Sequence, residues 1–144
     1  MKSLVPRTWK LCVDPQIKAE YDKLWDEVAA QAKNTGIPPT NKPYLFTFGG
    51  HGSLGICRSA VDPAYKNRQR YISLGIGINK VFLNHPDKVT QTLIHEIAHA
   101  FVPEDRHGAE WKRLSNPVAK RHGLTISRLT SLEKIGIEWE EFKK

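Results

Sequence analysis

The 144-residue chain is 40% hydrophobic and 26% charged, with 10 Gly and 9 Pro. This balance excludes collagen-like, low-complexity and intrinsically disordered classes and predicts one compact domain over 1–144. Lys and Arg total 22 against 15 Asp and Glu, a net charge of +7, which favours acidic partners such as nucleic acid through long-range attraction. Cys12 and Cys57 lie too far apart for a CxxC pair or a disulfide framework. Residues 1–7 carry no signal-peptide apolar core, and no run approaches the ~18 residues of a membrane span, so a cytoplasmic protein without a membrane partner is expected.

From Pro15, helical spacing of Ile17, Tyr21, Leu24, Trp25 and Val28 predicts an amphipathic helix. Asp14 is its N-cap, Pro15 stands at its first position, and Gly36 with Pro38-Pro39 ends it. The apolar runs 44–48, 54–57 and 70–74 then read as strands of a small, mostly antiparallel sheet, with Gly75-Ile76-Gly77-Ile78 leaving the end of the last strand open. The polar, basic stretch 62–70 between the second and third runs reads as an exposed hairpin connection. After His85-Pro86, the spacing of Val89, Leu93, Ile97 and Ala100 predicts a second long helix that Pro103 interrupts. A third helix is expected from about Gly108 to Arg121 through Trp111, Leu114 and Val118, with Pro117 as a kink or division and Gly123 as its stop. Leu129, Leu132, Ile135 and Trp139 add apolar surface without clear boundaries. The expected fold class is α+β.

The second helix carries His95-Glu96-Ile97-Ala98-His99, an H-E-x-x-H match. Two imidazoles four residues apart project from one helical face with Cβ atoms about 5–6 Å apart, so both reach one metal ion. Glu96, offset by about 100° from His95, stands close enough to hydrogen-bond a water at the metal without being a ligand. Zinc in such a setting lowers the pKa of water toward about 7 and polarises a carbonyl, and Glu96 is the expected general base. With six His in the chain, roughly 0.015 such matches arise by chance. Two His and a Glu among Leu93, Ile94, Ile97 and Ala98 would also be costly to bury without a partner.

Catalytic zinc usually takes three protein ligands and leaves one position for water. His107, beyond Pro103 and a charged loop that can turn the chain back, is the candidate, with Glu104, Asp105 and Glu110 as alternatives. A metzincin is excluded by spacing: Val102 and Asp105 stand where that class has Gly and His, and Met1, the sole methionine, permits no Met-turn.

Leu54-Gly55-Ile56-Cys57, the strand that follows, Thr92 to His99, and His107-Gly108-Ala109-Glu110-Trp111 together resemble the SprT-like metallopeptidases, including the protease core of Spartan. The likeness is clearest over 46–118. It implies a zincin-like α+β domain with an N-terminal helix, an active-site helix and a following helix, one Zn²⁺ held by His95, His99 and His107, and Glu96 as general base in peptide-bond hydrolysis. The Spartan branch cleaves proteins crosslinked to DNA, so DNA-associated proteins enter as candidate substrates. This chain departs from longer members in having no Cys-rich zinc ribbon after the core, since no Cys follows Cys57.

Outside this constellation, His51 in a Gly-rich turn reads as a surface residue or an oxyanion stabiliser, and Cys57 as a small apolar residue. His85 and His122 read as helix-flanking residues. Tyr65, Lys66, Arg68 and Arg70 form a candidate contact for nonspecific DNA, against a solvated hairpin. Two functions therefore compete: a zinc metallopeptidase acting on protein or peptide, and a nucleic-acid-binding module whose zinc is structural and catalytically idle.

Overall fold

The computed structural model describes residues 5–50, 52–61, 71–105, 107–126 and 135–142. Among these residues, four strands, four α-helices and two short 3₁₀ turns follow one another as β1 (Lys10–Leu11), α1 (Pro15–Asn34), β2 (Leu45–Phe48), β3 (Gly55–Val61), β4 (Tyr71–Asn79), 3₁₀ turns at Lys80–Asn84 and Pro86–Lys88, α2 (Thr90–Phe101), α3 (Ala109–Arg121) and α4 (Trp139–Phe142). The class is α+β, as expected. No helix among the described residues is long and apolar enough to cross a membrane.

Helix α1 begins and ends where its sequence signals stand. The Asp14 side chain accepts from the Ile17 N–H at 3.0 Å, and Gly36 takes a φ of 76° just past the last turn, a left-handed conformation that glycine adopts without penalty. Its apolar stripe of Ile17, Tyr21, Leu24, Trp25 and Val28 is buried. The Trp25 ring packs at 4.9 Å from Phe101 at the end of α2.

The sheet is mixed, in the order β1-β2-β4-β3. Strands β1 and β2 pair antiparallel, as do β3 and β4, whereas β2 and β4 run parallel. Three apolar runs were expected to form strands, and each does. Lys10–Leu11 forms a fourth, too short for periodicity to mark, which exists because it pairs with Phe46 and Thr47. The Gly-Ile-Gly-Ile run belongs wholly to β4. Ile76 and Ile78 are fully buried in the core shared with the helices. Gly75 and Gly77 point the other way, where a Cβ would stand 2.9 Å from Phe46 and from Trp9 respectively. Trp9 stacks on Phe48 with ring centroids 5.6 Å apart, so the segment before β1 covers that face of the sheet. The glycines are the space into which these aromatics pack.

Helix α3 runs through Pro117 without division. Proline lacks the N–H that would bond the Arg113 carbonyl, and Gln31 Nε2 of α1 donates to that oxygen instead, at 3.2 Å. The 62–70 connection, with the candidate nucleic-acid residues Tyr65, Lys66, Arg68 and Arg70, lies outside the described residues, as do His51, Leu129 and Leu132.

Candidate metal centre

Helix α2 lies between β3, α1 and α3, and His95 and Glu96, at 7% exposure each, are buried with the apolar residues around them. Helical geometry places His95 and His99 on adjacent turns of one face. Their Nε2 atoms stand 3.3 Å apart.

The third histidine arrives through a short turn. Beyond α2, Asp105 N donates to Val102 O at 3.1 Å and Gly108 N to Asp105 O at 2.8 Å, which folds the chain back. The Asp105 carboxylate accepts from Trp111 N at 2.8 Å, satisfying one of the orphan donors at the start of α3. A side chain at Gly108 would put its Cβ 2.6 Å from an oxygen of the same carboxylate, so the Gly after His107 is what lets Asp105 reach the helix. The turn sets His107 Nε2 at 3.0 Å from His99 Nε2 and 3.1 Å from His95 Nε2. Of the three alternatives weighed for this position, Asp105 caps α3, while Glu104 and Glu110 line, with Asp105, a cavity elsewhere. None belongs to the three-histidine group.

Trp111 supports all three rings from one side. Its centroid lies 4.9 Å from those of His95 and His107 and 5.5 Å from that of His99. Its indole N–H donates to the His95 carbonyl at 3.2 Å, a partner that a buried Trp needs. This supporting role was not drawn from the sequence, although the aromatic at that position was.

The triangle of Nε2 atoms cannot be closed by hydrogen bonds. Each neutral Nε2 offers either one N–H or one lone pair, so no assignment of tautomers satisfies three mutual contacts. A tetrahedral ion with metal–nitrogen distances of about 2.0–2.1 Å requires nitrogens about 3.3–3.4 Å apart, close to the 3.0–3.3 Å found. The donor set fits a metal ion. Burial, with the neighbouring His95 and His107, lowers the pKa of His99 to about 3 against an opposing pull from Asp105. Its imidazole is therefore neutral, as a metal ligand must be.

Glu96 stands beside this group and outside it. Its Oε2 is 3.8 Å from His95 Nε2, and burial raises its pKa to about 8. Across from it lies Gly55 at the start of β3, where an added Cβ would meet Thr92 Cγ2 at 2.7 Å and Glu96 Cγ and Oε2 at 2.9 Å each. Only a glycine lets the strand lie this close to the helix. Asn79 holds that end of the strand. Its Nδ2 donates to Gly50 O at 2.9 Å and Ser53 O at 3.1 Å, and its backbone N–H donates to Leu54 O at 2.8 Å. Neither residue was singled out for a role in the site. The signal for Gly55 was its place inside a strand; Asn79 left none.

The other two histidines among the described residues are engaged elsewhere: His85 with Glu141 at 2.8 Å and His122 with Glu27 at 2.9 Å. Burial first, then the charge of Glu96, raises the Cys57 thiol to about 12, consistent with a small apolar packing residue.

Comparisons with curated proteins and with solved structures find no significant match. A model of the SprT-like family matches residues 51–130, a span that opens just before β3, takes in the three histidines, Glu96 and Gly55, and runs past the end of α3. More than half of the chain lies within that match, so the protein belongs to the SprT-like family.

Proposed function

We propose that the protein is a zinc-dependent metallopeptidase in which His95, His99 and His107 hold one zinc ion and Glu96 is the general base. The observation that carries this reading is the carboxylate 3.8 Å from the ligand nitrogen of His95 yet outside the ligand group. A structural site has no use for it, because burying an ionisable carboxyl costs stability that only chemistry at that place offsets.

When bound, zinc supplies a Lewis acid that acidifies water and polarises the scissile carbonyl. The chain's own residues do the rest. Three imidazoles, which bind a metal in their neutral form, would leave such an ion its full positive charge, and Trp111 packs against all three rings. With a dication held there, Glu96 would be favoured in its ionised form against the effect of burial. The Glu96 carboxylate then takes the proton of the attacking water on an oxygen and returns it to the departing amine. The buried side chains of Thr92 and Trp111 beside the site keep bulk water from competing for that proton.

The test is metal analysis of the purified protein followed by casein digestion. We expect one zinc per chain, and in Glu96→Gln an unchanged zinc content with proteolysis lost by about 10²–10⁴-fold. Undiminished cleavage by that variant would overturn the mechanism. The net charge of +7 supports an extension of the reading to protein substrates held on DNA. If it is right, anisotropy of a labelled single-stranded oligonucleotide rises on addition of the protein and the binding weakens steeply with salt. No binding at low salt would leave a general peptidase.

A further inference from the structure

We propose that the cleft beside the three-histidine group is a subsite for a carboxylate of the substrate, bound by Lys112 with Asn116. This subsite rests on the peptidase reading, because the ligand it selects is part of the peptide under attack. The cleft, of about 610 Å³, runs from His99 and His107 along α3, with Pro103, Trp111 and Ile126 as its apolar wall and Lys112 and Asn116 as its polar side.

Charge is divided between two cavities on opposite sides of the turn that follows α2. Glu104, Asp105 and Glu110 all line the other one, of about 740 Å³, and Pro103 is the single residue common to both. Among the described residues, the lining of the metal-side cleft therefore contains no carboxylate, and Lys112 is its one permanently charged side chain. The Lys112 ammonium makes no ion pair or side-chain hydrogen bond with the described residues. Asn116 follows it by four residues on α3, so the two side chains are neighbours on one face, about 6 Å apart at their Cβ atoms.

An apolar wall strengthens the field of a charge beside it. A dication at the histidines adds potential of the same sign. The cleft thus attracts an anionic group and repels a lysine or arginine. A carboxylate suits the pair: it accepts from the ammonium on one oxygen and from the Asn116 amide on the other, while the stem of an acidic side chain lies along Trp111 and Ile126. The same carboxylate chemistry belongs to an Asp or Glu side chain and to the C-terminus of a peptide.

The test measures binding to the zinc-loaded full chain by titration calorimetry. Four peptide hydroxamates serve as probes: three C-terminal amides carrying Glu, norleucine or Lys beside the hydroxamate, and the norleucine peptide with a free C-terminal carboxylate. An exposed ammonium–carboxylate contact at partial desolvation corresponds to about threefold to tenfold in affinity. We expect that margin for Glu over Lys, its loss in Lys112→Met and its reversal in Lys112→Glu. Zinc content and the far-ultraviolet spectrum should stay unchanged, since Lys112 is exposed. The Glu amide against the free-acid norleucine peptide decides whether a side chain or a chain end fills the subsite. Equal affinities for all four probes, no binding of any, or a preference unmoved in Lys112→Glu overturns the subsite. A Lys112-dependent preference in a protein that cleaves no peptide would instead leave the subsite standing and remove the peptidase.

Discussion

Helix α2 and strand β3 face one another across the site and contribute to it in opposite ways. The helix brings side chains, His95 and Glu96 buried and His99 half-buried, polar groups that folding would otherwise leave in water. The strand brings, at Gly55, the absence of a side chain, and that absence lets the sheet edge lie against Thr92 and Glu96. Residues bearing chemistry raise the cost of the fold, whereas the residue that makes room for them leaves no chemical trace. Conservative changes on the two sides should therefore fail differently: on the helix, function is lost while the fold holds or gains; on the strand, both suffer together.

The largest effect tests the cost borne by the helix, and it appears when the metal is removed by a chelator. Glu96 is held at a pKa of about 8 against an ordinary 4.5. Below pH 4.5 it is protonated in folded and unfolded chains alike and costs nothing. As pH rises from 4.5 to 8 the unfolded chain ionises first and the folded chain binds more protons, so stability falls with pH and levels off above 8. The penalty for an uncompensated buried charge is on the order of several kcal/mol. Urea midpoints of the metal-free protein should fall over that window, and Glu96→Gln should flatten this part of the profile. A profile identical in both proteins would mean that Glu96 is not buried as described.

Next in size is the loss of a ligand that neither α2 nor β3 supplies. Structural zinc sites bind with about 10–16 kcal/mol over four ligands, so one imidazole corresponds to roughly 3 kcal/mol, or about a hundredfold in affinity. His107→Ala should lose zinc to a competing chelator accordingly, while α1 and the sheet remain folded by circular dichroism. Undiminished zinc affinity would place the third ligand elsewhere.

The smallest change in atoms falls on the strand. Gly55→Ala inserts one methyl group into a space where the nearest atoms would stand at 2.7–2.9 Å. Overpacking of this kind costs about 1–3 kcal/mol, and relief requires β3 or the Glu96 side chain to shift. Thermal unfolding should report the loss of stability and casein digestion a parallel loss of activity with zinc retained. A variant as active and stable as the parent would show that the close approach is not needed.

What the sequence by itself determined is local. Helix α1 with its Asp14 cap, the three main strands, the α2 and α3 segments and the pairing of His95 with His99 depend on spacing within a few turns, where backbone geometry alone settles which residues share a face. His107 was legible as a candidate, but three carboxylates in the same stretch competed with it. The tertiary fold brings His107, and none of those carboxylates, to His95 and His99, because the Asp105–Gly108 turn spends the Asp105 carboxylate on α3 and turns Glu104 and Glu110 toward another cavity. The parallel pairing of β2 with β4, the two-residue strand at Lys10–Leu11, the union of the Gly-Ile-Gly-Ile run with β4 and the continuity of α3 through Pro117 were likewise decided at a distance. Each rests on a partner far away in the chain: Ile76 for Leu45, Thr47 for Lys10, Trp9 for Gly77, Gln31 for the Arg113 carbonyl. Long-range partners carry no periodicity, so Gly55 and Asn79 reveal their place beside the site only once the strand lies on the helix.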